Sequence, residues 1–179
     1  MTNGWNGIAG RRRKLWISVA GALQVLFLLG MALSYYAVGW YGQEIRLKTI
    51  PIDPKDYLYG DYVTLNYEVS QLKPELWNKQ TDGELPQDGS VVYVLLRSDG
   101  GLYKAVQVSG SKPQAKADEA VLKGVVQSRW DDTLQIKYGI ERYYIPEGTG
   151  KELEEKARDT VVKVKLAPWG QMKLEGLES

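Results

Sequence analysis

Cysteine and histidine are both absent from the 179 residues. Without cysteine there is no disulfide to brace a domain and no thiolate for nucleophilic or redox chemistry. Without histidine, the imidazole base, the imidazole metal ligand and the Ser-His-Asp arrangement are excluded, and zinc sites built from Cys and His go with them. Carboxylates, lysine, tyrosine and serine remain. Acidic residues are missing from one whole region: the first 43 positions hold Arg11, Arg12, Arg13 and Lys14 and no Asp or Glu. Taking these four from the 23 basic residues leaves 19 against 22 acidic, a net charge of −3 for the rest of the chain. That is a poor match for polyphosphate, and no basic groove interleaved with aromatics is visible, so nucleic acid is not expected as a partner.

Ionisable acids and bases are also missing from Leu15 to Gly39. About 20 apolar residues rising about 1.5 Å each cross a hydrocarbon core of about 30 Å, so the stretch fits a single membrane helix. Trp16 stands at one end and Tyr35, Tyr36, Trp40 and Tyr41 at the other, where amphipathic rings favour the headgroup region. The four cations precede the helix, and the positive-inside tendency keeps them in the cytoplasm. The expected organisation is a basic cytoplasmic N-terminus over 1–14, an anchor over 15–41 and an extracytoplasmic domain over 42–179. The rival reading is a cleaved signal peptide, for which Gly30 with Ala32 or Ala37 with Gly39 offers a small-residue pair. The length of the run and its distal aromatic band favour the anchor.

Beyond the anchor the pattern is mostly of period two. Strands are expected near Glu44–Ile50, Asp61–Val69, Val91–Arg97, Leu102–Val108, Ala120–Arg129, Thr133–Tyr138, Ile140–Ile145 and Val161–Ala167, with a short last one at Gln171–Leu174. Ser98-Asp99-Gly100-Gly101 reads as a hairpin turn and Tyr138-Gly139 as a tighter one. Pro74 confines any helix within Gln71–Trp77 to its first turn, and Ser109–Asp118 reads as an exposed loop. Thr149 and Glu152 have capping-box spacing, and Glu152/Lys156 and Glu154/Arg158 are favourable i,i+4 pairs, so a short surface helix is expected over Lys151–Arg158. No internal repeat is visible. The fold class is therefore mainly β, a small sandwich or barrel-like outer domain with one short helix, preceded by a single transmembrane helix.

Four kinds of chemistry compete. Ser109-Gly110-Ser111-Lys112 has the S-x-x-K spacing of lysine-assisted serine hydrolases, but Gly110 and Pro113 favour a loop over the helix that mechanism needs. Asp53, Asp56, Asp61 and Glu68 are oxygen ligands for a cation sensor in one reading and turn formers in the other. Glu141 and Glu147, beside Tyr138, Tyr143 and Tyr144, suit a glycan-directed hydrolase using carboxylates, although strands carry Tyr and Glu for propensity and solubility alone. The fourth reading is a contact surface for another protein. Twelve Tyr and six Trp against one Phe is a bias toward rings with a polar tip, which suit half-wet interfaces.

Gly60-Asp61-Tyr62, Leu65 and Tyr67 spell GDYxxLxY. Gly60 permits a positive φ where the Pro/Asp segment swings into a strand, and Asp61 accepts N–H groups of that turn. Val63, Leu65, Tyr67 and Val69 fall on one face, and Tyr62 falls on the other, free for binding. These residues, with Asp53-Pro54-Lys55-Asp56 before them and YGIERYYIPEGTGKELE over 138–154 after them, make the chain similar to the GDYXXLXY family of bacterial membrane-anchored proteins. The resemblance implies location and company: one N-terminal helix with an outer domain, linked in some members to polytopic membrane proteins. A looser likeness to type I signal peptidases rests on an N-terminal anchor, a β-rich outer domain and Gly-Asp steps entering strands, but the Ser-x-Met-x-Pro stretch that follows their anchor is missing here and the shared Gly-Asp is common turn chemistry.

The leading expectation is a non-catalytic interaction or assembly module partnering an integral membrane protein, with no cofactor and no metal. The signature residues Gly60, Asp61, Tyr62, Leu65 and Tyr67 serve the fold. Tyr62, Tyr138, Glu141, Arg142, Tyr144 and Glu147 form the candidate binding surface.

Overall fold

The computed structural model describes residues 5–50, 62–130, 132–144 and 160–178. The chain divides into two compact units, Met1–Trp40 and Tyr41–Ser179.

The first unit is helical. Helix α1 covers Trp5–Tyr41, and within its candidate span Arg13–Tyr41 an 18-residue stretch has a mean hydropathy of 2.0. Leu15, Trp16, Ile17, Phe27, Leu28 and Met31 are all exposed. At 3.6 residues per turn these positions, together with the exposed Leu23 and Leu29, look out in every direction, so no face of this part of the helix is reserved for a protein core; Val38, near the helix end, is buried. By length and composition α1 can cross a membrane, and a signal sequence meets the same description.

The second unit is mainly β. In chain order it contains β1 (Gln43–Lys48), β2 (Tyr62–Thr64), a 3-10 turn at Glu68–Ser70, β3 (Gln71–Leu72), a second 3-10 turn at Pro74–Leu76, α2 (Lys79–Asp82), β4 (Val91–Asp99), β5 (Leu102–Ser109), β6 (Glu119–Trp130), β7 (Thr133–Lys137), β8 (Arg142–Tyr144), β9 (Val161–Leu166) and β10 (Met172–Glu178). They form a three-stranded sheet ordered β1-β9-β10, a five-stranded sheet ordered β3-β7-β6-β4-β5, and the pair β2-β8, all antiparallel. Period-two alternation explains how they close on one core. Ile45, Leu47, Val162 and Val164 turn inward from the smaller sheet, and Val92, Val94, Leu96, Leu122, Leu134 and Ile136 from the larger one, into a single buried cluster.

Three glycines are required by geometry. Gly100 and Gly101 carry φ of +61° and +91° between the paired residues Asp99 and Leu102, the two-residue turn that matches strand twist. Gly124 in β6 is a close-approach position: a Cβ there would stand 2.5 Å from Ile136 Cγ2 and 3.0 Å from the Lys137 carbonyl oxygen.

Several expectations change. Asp61–Val69 is not one strand: β2 ends at Thr64, and the chain passes into the 3-10 turn at Glu68–Ser70. Its alternation survives in burial, because Leu65, Tyr67 and Val69 are buried while Thr64 and Glu68 are exposed. Tyr138-Gly139 is not a hairpin, since β7 and β8 pair with different partners. The last strand runs to Glu178, with a bulge between Leu174 and Gly176. Pro74 opens a 3-10 turn at its first position, as the missing N–H of proline dictates. The capped helix expected over Lys151–Arg158 lies outside the described residues.

Candidate functional site

The segment Tyr62–Leu72 joins elements that are far apart in sequence. It begins as β2, antiparallel to β8 with Tyr62 opposite Tyr144, Val63 opposite Tyr143 and Thr64 opposite Arg142. The Leu65 N–H then donates to the Glu141 carbonyl at 2.7 Å, and the Asn66 carbonyl accepts from the Ile50 N–H at 2.9 Å. Tyr67 bridges Thr49, just past β1, and β3 pairs with β7. One short stretch therefore bonds in turn to the β8 strand, the end of the three-stranded sheet and the edge of the five-stranded sheet.

Two buried tyrosines lock this seam. Tyr67 is fully buried, and its hydroxyl donates to the Ile140 carbonyl at 2.6 Å. Tyr138 is also buried, and its hydroxyl donates to the Val69 carbonyl at 2.5 Å. Burial first, and the negative charge of Glu141 second, push both phenols above their ordinary range. Each hydroxyl remains a protonated donor and is not poised as a nucleophile or base near neutral pH.

Glu141 shapes the turn between them. Its carboxylate accepts from the Tyr138 N–H at 2.5 Å and the Gly139 N–H at 2.9 Å. Gly139 has φ of +84°, a conformation that a residue with a Cβ adopts only with strain. The carboxylate satisfies backbone donors left free where the chain leaves β7 for β8.

The expected surface thus separates into distinct places. Tyr138 belongs to the core and not to an exposed binding face, because its ring packs in the cluster while its hydroxyl finds a partner inside. Glu141 is half-buried and bound to backbone N–H groups, and Arg142 is exposed. Leu65 and Tyr67 are both buried. Gly60, Asp61 and Glu147 lie outside the described residues, as do the side chains of Tyr62 and Tyr144. Asp53 and Asp56 lie outside them as well. Among the described residues no three or more Asp or Glu gather as metal ligands would.

The S-x-x-K stretch is split by its hydrogen bonds. Strand β5 ends at Ser109, whose hydroxyl donates to the Ser111 carbonyl at 2.8 Å, while Lys112 donates to the Pro168 carbonyl at 3.3 Å. No helix turns serine and lysine toward each other there.

One buried acid escapes sequence reading altogether. The side chain of Glu119 is 3% exposed, and its carboxylate accepts from Arg97 at 2.8 Å and from the Lys116 N–H at 3.1 Å. The Arg97 hydrogen bond, and then that of the Lys116 N–H, hold its carboxyl below the usual range. Glu119 begins β6 directly opposite Arg97 of β4. That cross-strand register is the only signal, and it exists only once the strands are paired.

No curated protein and no solved structure matches the chain. The family model for GDYXXLXY proteins matches residues 24–177, most of the chain, and the chain belongs to that family.

Proposed function

We propose that this is a single-pass membrane protein with its N-terminus in the cytoplasm, whose β-rich outer domain acts as a non-catalytic interaction or assembly module for an integral membrane partner. The observation that carries the reading is the all-round exposure of apolar side chains on α1, which calls for lipid or other apolar helices around it. The cations Arg11 to Lys14 ahead of the uncharged run that begins at Leu15 support the orientation.

The described polar groups at the seam support a structural use over a chemical one. The hydroxyls of Tyr67 and Tyr138 are spent on carbonyls, and the carboxylate of Glu141 on N–H groups. Glu119 is held by an arginine. A carboxylate-dependent hydrolase needs an acid and a base free to reach substrate.

Affinity purification of the tagged full chain from gently solubilised membranes tests the proposal. The reading expects a polytopic membrane protein to be recovered in constant proportion with the chain. Recovery of the chain alone across mild detergents would overturn the assembly role.

A further inference from the structure

Two tryptophans of the second unit stand clear of its core, Trp130 at 75% exposure and Trp169 at 52%. They occupy opposite ends. Trp169 is in the β9–β10 turn, where the Gly170 N–H donates to the Ala167 carbonyl and the Ala167 N–H to the Gln171 carbonyl, both at 2.8 Å. Pro168 presets the first turn position, and Gly170, with φ of +93°, supplies the left-handed one. This rigid three-residue loop puts Trp169 at its tip, with the indole N–H bonded to Gln171 Oε1 at 3.1 Å. The bond from Lys112 to the Pro168 carbonyl fastens the loop after β5 to the same turn.

The position of this tip follows from register. Leu166, at the end of β9, pairs with Gln43, and Gln43 comes two residues after the end of the apolar span at Tyr41. From Leu166 to Trp169 is at most about 10 Å of chain. Gln43, Lys112, Glu119, Pro168 and Gly170 line one cavity of about 600 Å³, which puts the start of β6 at this end as well. Strand β6 then takes twelve residues to reach Trp130, about 36 Å away at about 3.3 Å per step.

We propose that the Trp169 turn is a second lipid contact, its indole entering the headgroup–acyl boundary of the bilayer that holds α1 and the Lys112 ammonium facing the lipid phosphates. The proposal rests on the anchored reading of α1. An exposed indole with one apolar body and one polar N–H is suited to that boundary, and a neighbouring lysine extends its charge outward along the same interface. Continuity with the exit of the span singles out this tip over Trp130, which is equally aromatic and more exposed.

The absence of cysteine makes the test direct, since each introduced thiol is unique. The full chain is reconstituted in vesicles of phosphatidylethanolamine and phosphatidylglycerol that include one lipid with a nitroxide near its headgroup, to report the boundary, and one with a nitroxide on its acyl chain, to report the core in which Leu23 lies. Trp169→Cys, Trp130→Cys and Leu23→Cys are each labelled with a small fluorophore. The expected result is loss of emission at positions 169 and 23 and retained emission at 130. Quenching at 23 with none at 169, or equal quenching at 169 and 130, overturns the proposal while leaving the anchor intact. No quenching at 23 removes the anchor and the proposal together. A Gln171→Cys label adds a check on the indole itself: its quenching falls when Trp169→Ala is introduced, and unchanged quenching overturns the role assigned to the ring.

Discussion

Tyr67 and Tyr138 are bonded reciprocally: each hydroxyl donates to the carbonyl two residues beyond the other tyrosine, Tyr67 to Ile140 and Tyr138 to Val69. The two segments are separated by about seventy positions in sequence, and both bonds are buried. Where water is excluded, a carbonyl without a donor is expensive, so each ring fills core volume and also satisfies the other segment's backbone. The seam between β2, β8 and the two sheets is held by this exchange.

Replacing either tyrosine by phenylalanine keeps the ring and orphans a carbonyl. Tyr67→Phe is expected to lower unfolding stability by about 1–3 kcal/mol, and Tyr138→Phe by a similar amount. The two residues share one seam, so the double variant is expected to depart from additivity by about 0.5 kcal/mol or more. Denaturant unfolding of the detergent-solubilised full chain, followed by near-ultraviolet circular dichroism, measures all three. Wild-type stability in both single variants would contradict the buried exchange.

Alkaline pH probes the same pair with a defined sign. Folding raises both phenol pKa values, so their contribution is fully present below the unfolded tyrosine value of about 10 and is lost as pH rises above it. Wild-type stability is expected to fall on titration beyond about pH 10. The Tyr67→Phe/Tyr138→Phe variant is expected to fall less steeply over that window, as thermal midpoints at stepped pH will record.

Acid pH probes Glu119. Its folded pKa is depressed by Arg97 and the Lys116 N–H, so its contribution is present above the unfolded glutamate value of about 4.3 and disappears as pH drops through the lower folded value. Glu119→Gln is expected to be less stable than wild type at neutral pH, with the gap closing as the solution is acidified. A gap that stays constant down to about pH 3 would contradict the ion pair as its source.

Gly124→Ala tests packing beneath the seam. The added methyl would meet Ile136 Cγ2 at 2.5 Å and Tyr138 Cδ1 at 3.1 Å, and the Lys137 carbonyl leaves little room to shift. Overpacking of this kind costs about 1–3 kcal/mol. A lowered thermal midpoint with unchanged far-ultraviolet circular dichroism is the expected result.

Strand positions were legible because alternation is a local signal: Val92, Val94 and Leu96 announce an inward face whatever they pair with. The Gly100-Gly101 turn was legible for the same reason, since positive φ at two successive positions demands glycine. The break after Thr64 was not. The alternating burial of Leu65, Tyr67 and Val69 continues across it, and only the competing partners Thr49, Glu141 and β7 end the strand. Tyr138 was misplaced for a related reason: a tyrosine beside a glycine reads as a wet turn, and the acceptor that lets it be buried is Val69, far away in sequence. Pairings such as Arg97 with Glu119 depend on register, which no single stretch of sequence contains. The Pro168-Trp169-Gly170 tip carries local turn chemistry that the strand pattern does not single out, and its location beside Gln43 needs the fold.

The membrane anchor and its orientation underlie the proposed role, and protease protection tests them most directly. Protease is added to intact spheroplasts expressing the full chain with a C-terminal epitope, alongside a lysed control. The account predicts that the epitope-bearing outer domain is digested without lysis while the basic N-terminal segment is spared. An epitope digested only after lysis would contradict it.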